Sequence, residues 1–169
     1  MFMTPEGAIV CRPAFEARRG EEKAVAKTLA SLGVPIIKTI NGDGYFEGAC
    51  AMWIDRETVI IGSGSRSDES GCRQVEWELK NIGVTNIIRT QIPYGSIHLD
   101  GYMNMVDKKK MLIFPWHIAY DCAKALLDMG ITLIEATDIK EVKQGMAMNV
   151  VALEPGKVIM PSGNPVTQS

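Results

Sequence analysis

Apolar positions along the chain follow one order that recurs three times. Val25, Leu29 and Leu32 are spaced four and three apart, and so are Val75, Leu79 and Ile82, and Cys122, Leu126 and Met129. That spacing puts each set on one helical face and predicts helices near 20–32, 71–82 and 118–129. Each predicted helix stops at a glycine (Gly33, Gly83, Gly130), which suits a C-terminal cap needing positive φ, and a strand rich in β-branched residues follows at once. A hairpin pattern comes next: residues 51–62, 103–114 and 149–160 read as strand, polar turn, strand, with Asp55, Asp107 and Glu154 opening the three turns.

The glycines and the turn acids recur at about 50-residue intervals, so the chain is an α/β repeat. It is not a βαβ series, because a hairpin separates successive helices. One such unit cannot bury its sheet and its helix alone, so units stack side by side, in a closed ring or an open arc. A single α+β sandwich is the alternative. No linker or low-complexity tract divides residues 1–169, which read as one domain or part of one. Residues 1–12 begin directly with a strand, and 161–169 stop where a fourth helix would start.

Composition narrows the function classes. The chain has 169 residues, is 46% hydrophobic and carries a net charge of −2, which is ordinary for a folded globular protein and leaves no basic field for nucleic acid or an anionic membrane. No apolar run reaches the ~18 residues of a membrane helix, and no signal peptide is present, so the expectation is a cytoplasmic protein. The four cysteines lack C-x-x-C spacing, which argues against zinc-ribbon and thioredoxin chemistry. With two histidines, His98 and His117, acid–base chemistry has few candidates.

Four segments could carry chemistry. Glu47, among Gly42, Gly44 and Gly48, opens the hairpin at 51–62, and is otherwise a solvated acid in a turn. His98 and Asp100 open the next hairpin at the matching place. On an extended segment they share a face, suiting general acid–base work beside a cation-binding carboxylate. They could also be two metal ligands, with a third and fourth from Glu47, Cys50 or outside the chain, or His98 could be a plain surface or core histidine. The Gly/Ser loop 62–71 could form an anion nest but lacks the Walker lysine and the Rossmann spacing; Ser67 or Asp68 is more simply a helix N-cap, and Arg66 could clamp a carboxylate. Arg18 and Arg19, before the first helix, are a solvated cluster or a second carboxylate-binding group.

Glu47-Gly48 before a hairpin, Arg66 in a Gly/Ser loop and His98-Leu99-Asp100-Gly101 opening the next hairpin together resemble the guanidino-group-modifying superfamily: arginine deiminases, amidinotransferases and dimethylarginine hydrolases. Residues 145–156 and 160–165 look like the stretch leading to that family's last blade. The resemblance implies the pentein fold, an α/β propeller of five ββαβ blades, of which about three are present here.

It also implies nucleophilic catalysis without a cofactor or metal, in which a cysteine thiolate attacks a guanidinium carbon and forms a covalent adduct. Glu47 would orient the histidine or the guanidinium, His98 would move protons, and Asp100 would hold guanidinium nitrogens. Arg66, and Arg18 or Arg19, would bind a substrate carboxylate. The family reads Glu-Gly-Gly-Asp or Glu-Gly-Ala-Asp where this chain has Cys50. Cys50 is therefore a thiol at the site without an assigned role, and the family nucleophile is expected in a Gly-rich stretch beyond residue 169. A second guanidinium-binding aspartate, in an Arg-Asp pair before the first strand, is also absent. Two readings follow: an enzyme acting on arginine or a related guanidine, by hydrolysis or amidino transfer, or a non-catalytic pentein that binds or assembles, either a degenerate enzyme or one like the ribosome-binding initiation factor of this fold. The partners expected are a small guanidine and a companion segment or second copy completing the ring, with no nucleic acid or membrane.

Overall fold

The computed structural model describes residues 1–169 and lays out strand, strand, helix, strand three times. The first run is β1 (Phe2–Thr4), β2 (Gly7–Val10), α1 (Glu21–Ser31) and β3 (Ile36–Thr39). The second is β4 (Ala51–Trp53), β5 (Thr58–Ser63), α2 (Glu69–Asn81) and β6 (Asn86–Gln91). The third is β7 (Met103–Asp107), β8 (Lys110–Ile113), α3 (Tyr120–Asp128) and β9 (Thr132–Glu135). A short α4 (Ile139–Lys143) and a hairpin of β10 (Val151–Glu154) and β11 (Lys157–Ile159) end the chain.

Each three-stranded sheet is in chain order, with the second hairpin strand in the middle. The hairpin pairs are antiparallel, while β3 runs parallel to β2 and β9 parallel to β8. A parallel return needs a crossover, and the helix between the strands is that crossover. This is a mixed α/β fold of ββαβ units, as the sequence repeat predicts. Two elements are hidden by the pattern: α4, and the first hairpin, since residues 1–12 hold two strands, joined by Pro5-Glu6, where one is expected. The Thr4 hydroxyl donates to the Gly7 carbonyl at 2.7 Å and closes that turn.

The chain divides into two compact units, residues 1–89 and 90–169. In the first, Ala8 and Val10 of β2 bury against Leu29 of α1, with Val25, Ala26 and Val34 around them. Val59, Ile60 and Ile61 of β5 are fully buried, as are Cys72, Val75 and Leu79 of α2, which packs on β5. In the second, Met103, Met111 and Ile113 on the sheet and Cys122 and Leu126 on α3 are buried. Each large side chain removed from water contributes about 1.5–3 kcal/mol before entropy is charged against it. Leu32 departs from its predicted face: it is the C-cap of α1 and 70% exposed, whereas the matching C-caps Ile82 and Met129 are half-buried.

Gly71 is fixed by close approach. Asp68 caps α2, its Oδ1 accepting the Gly71 amide at 2.7 Å, and the same oxygen accepts the Tyr45 amide at 3.0 Å. This draws the 41–47 loop down onto the first turn of α2, where a Cβ on Gly71 would overlap the Tyr45 carbonyl. Glycine inside a helix normally costs up to about 1 kcal/mol relative to alanine. At this position the sign reverses: Gly71→Ala is expected to lower stability by about 2 kcal/mol through overpacking. A urea midpoint unchanged or raised in that variant would show that the loop does not press on the helix.

Candidate functional site

In the first unit, the segment 45–47 is laced to 66–68. Phe46 and Ser67 form an isolated antiparallel bridge, the Glu47 amide donates to the Arg66 carbonyl at 3.1 Å, and the Asp68 amide donates to the Tyr45 carbonyl at 3.1 Å. Arg12, which sequence reasoning passed over, donates from Nη1 to the Gly44 carbonyl at 3.2 Å and also to the Gly42 carbonyl. The Gly/Ser loop is thus occupied with structure. Asp68 is the N-cap, and the buried Ser67 hydroxyl donates to the Gly62 carbonyl at 2.6 Å. Glu47 has extended backbone and opens a 3-10 turn, Gly48–Cys50, that leads into β4. A Cβ on Gly48 would overlap the Met1 carbonyl, so the residue after Glu47 has room only for glycine.

Glu47 is 6% exposed, and two guanidinium groups meet its carboxylate. Arg18 Nη1 lies 3.0 Å from Oε2, and Arg66 Nη1 lies 3.2 Å from Oε1. Arg18 is also gripped by Glu21, and the Arg66 guanidinium sits over the Phe15 ring at 5.3 Å. Paired cations of this kind offset the desolvation of a buried carboxylate. Arg19 is exposed and pairs with no carboxylate.

In the second unit, His98 has extended backbone (φ −138°, ψ 164°), but Leu99–Gly101 is a 3-10 turn. The pair therefore does not share a face by strand alternation, as the sequence suggested. Leu99 is fully buried and anchors the turn, the Tyr102 amide closes it on the Leu99 carbonyl at 2.9 Å, and Asn104 Nδ2 donates to the Asp100 carbonyl at 2.8 Å. The turn still brings the two groups within electrostatic reach. Burial raises the Asp100 carboxyl above its ordinary range, and the neighbouring His98 charge works against that rise.

His98 and Gly101 line a cleft of about 230 Å³ together with Ser96, His117, Lys143 and Asn149. His117 packs edge-on to Phe114 and Tyr102. Its Nδ1 lies 2.7 Å from Ser96 Oγ and its Nε2 lies 3.3 Å from Lys143 Nζ. Burial, and then the Lys143 charge, lower its pKa. Sequence reasoning missed His117 and Lys143 as cleft residues, since no motif links positions 96, 117 and 143. No three His, Cys, Asp or Glu side chains gather as a metal site. No helix is long and apolar enough to cross a membrane.

The arginine deiminase family model matches residues 27–121, more than half of the chain and both hairpin openings. The chain belongs to the arginine deiminase family. Dimethylarginine dimethylaminohydrolase (DDAH) from Pseudomonas aeruginosa, solved as a mutant complexed with citrulline, superposes with a TM-score of 0.79 at 24% identity, covering 99% of this chain and 60% of that one. ArgZ, an arginine dihydrolase from the ornithine–ammonia cycle in cyanobacteria, superposes with a TM-score of 0.77 at 17% identity, covering 96% and 26%. These likenesses carry the pentein fold. An uncharacterized protein of Aeropyrum pernix is 24% identical over 158 residues, covering 92% of this chain and 53% of its own length. This arginine deiminase family chain thus spans about half the length of the curated relative it matches and 60% or less of these solved structures.

All four cysteines of this arginine deiminase family chain are free and buried. Burial pushes the Cys50 thiol up to about 12, with Glu47 adding to the rise and a hydrogen bond with Ser67 opposing it. Burial likewise pushes Cys72 and Cys122 up to about 11 and raises Cys11. At pH 7 a thiol near 12 is ionised in only about one molecule in 10⁵. Iodoacetamide at pH 7 is therefore expected to leave the native chain unlabelled and to add four adducts in denaturant. Rapid modification of native Cys50, read by peptide mass, would contradict this burial.

Proposed function

We propose that this chain forms part of an enzyme acting on the guanidinium group of arginine or a related guanidine. The observation that supports this reading best is Asp100, a half-buried carboxylate raised by burial beside His98, in the stretch matched by the arginine deiminase family. A planar cation donating paired hydrogen bonds compensates such a carboxylate. In this reading Asp100 holds guanidinium nitrogens and His98 moves protons, while Glu47, in the first unit, is a carboxylate that already binds guanidinium groups, those of Arg18 and Arg66. Those two arginines, and Arg19, are the weaker candidates for a substrate carboxylate, since Glu47 occupies two of them.

The covalent step needs a thiolate, and the four thiols of residues 1–169 are buried and held protonated. We assign the nucleophile to a cysteine outside these residues. Its thiolate adds to the guanidinium carbon, an amine leaves with a proton delivered through His98, and water then adds and expels the thiolate, leaving a ureido product. The same burial of every thiol also suits a pentein that binds a guanidine, or assembles with a companion segment or second copy, without turnover.

Asp100→Asn separates binding from folding. A carboxyl whose folded pKa is raised above its unfolded value destabilises the fold as pH rises through that range, so removing its charge relieves a burial cost at pH 7. The variant is expected to melt at or above the parent temperature while L-arginine binding, read by calorimetry, falls about tenfold or more. In the parent, binding should strengthen as pH rises through the Asp100 pKa, because the cation binds the ionised form. Full affinity in Asp100→Asn would remove Asp100 from the site.

A further inference from the structure

The cleft beside His98 carries a positive group with nothing negative on its walls. Lys143 Nζ has His117 Nε2 at 3.3 Å and sits 5.9 Å above the Phe114 ring, and no aspartate or glutamate lines the cleft. An ammonium can only donate, so Nε2 accepts, and the imidazole proton resides on Nδ1, where it donates to Ser96 Oγ. The Ser96 hydroxyl proton is then available to another acceptor. Asn149 lines the same space. Lys143, Ser96 and Asn149, three residues that can donate and one of them charged, line a cleft of about 230 Å³ together with His98 and Gly101.

We propose that Lys143, steadied by His117, is the group that receives the carboxylate of the substrate, with Ser96 and Asn149 as supporting donors. This rests on the guanidine reading above and narrows it to guanidines that carry an acid group. It places the acid specificity with Lys143 rather than with Arg18 or Arg66, whose guanidinium groups Glu47 holds at 3.0 and 3.2 Å. Charge-assisted contact with an ammonium, in a cleft free of competing acids, favours arginine over its decarboxylated analogue agmatine.

The two histidines make the test direct, because the imidazole Cε1–H resonances report both ends of the cleft separately. His98→Gln assigns them. L-Arginine and agmatine are titrated into the whole chain at fixed pH. The expected result is that arginine moves both His98 and His117 signals while agmatine moves His98 alone. Lys143→Met, at an exposed position, is expected to reduce the arginine-over-agmatine affinity ratio about tenfold, and Lys143→Arg to restore most of it. If both ligands move His117 alike, or the ratio survives Lys143→Met, the carboxylate assignment falls while the guanidine reading stands. If neither ligand moves His98, the guanidine reading falls and takes this assignment with it.

Discussion

After each helix the chain must turn back within three or four residues to lay down the third strand of its sheet, and most residues resist the backbone conformation this needs. Gly33, Gly83 and Gly130 take φ of +70°, +95° and +72°. A side chain in that region costs about 1 kcal/mol or more. The amide one residue later then bonds back into the helix: Val34 to Leu29, Val84 to Leu79 and Ile131 to Leu126, at 2.9–3.0 Å. From this reversal follow the third strands, the burial of one face of each helix, and the points at which the next loops begin. Glu47 lies in the loop after β3, and His98 in the loop after β6.

Those two loops use one local device with opposite electrostatics. Each has an extended residue followed by a 3-10 turn that feeds a hairpin: Glu47 before Gly48–Cys50, and His98 before Leu99–Gly101. At Glu47 two arginines compensate the buried charge at hydrogen-bond distance. Asp100 is helped by backbone amides and a neighbouring histidine, and burial still dominates its titration. A carboxylate left in that condition is one the fold tolerates and a cationic ligand would relieve, and this separates it physically from Glu47.

The helices, their glycine ends and the hairpins after them were legible because each rests on a local rule: spacing of apolar residues, positive φ at a cap, polar turns. What the sequence hid depends on contacts between distant positions. Leu32 matches the helical face by spacing, yet falls at the C-cap and into water. His98 and Asp100 look like strand neighbours because alternation assumes an extended chain, whereas the buried Leu99 pulls the segment into a turn. The Glu-Gly pair was readable as a motif. The reason for its glycine, the Met1 carbonyl in the space a Cβ would fill, was not. Cys50 likewise sits at a suggestive place in the sequence, and only burial reveals its thiol as inert.

The wall that carries Lys143 shows how a marginal element is made rigid. Five residues are far too few for a helix to persist alone. α4 is held at its start by Asp138, whose Oδ1 accepts the amides of Lys140 and Glu141 at 2.8 and 3.0 Å. It is held again by the 161–169 segment. Glu141 accepts the Val166 and Thr167 amides and the Thr167 hydroxyl at 2.7–2.9 Å, and these bonds outweigh burial and keep its carboxyl below its ordinary range. Asn164 Nδ2 donates to the Gly145 carbonyl at 3.1 Å, against a glycine whose Cβ would overlap the Asn164 side chain. The last nine residues, which carry no strand and no helix, therefore fix the end of α4 and with it the lysine that lines the cleft with His98. Because the Glu141 bonds require an ionised carboxylate, this anchorage is complete at neutral pH and loosens as acid protonates Glu141.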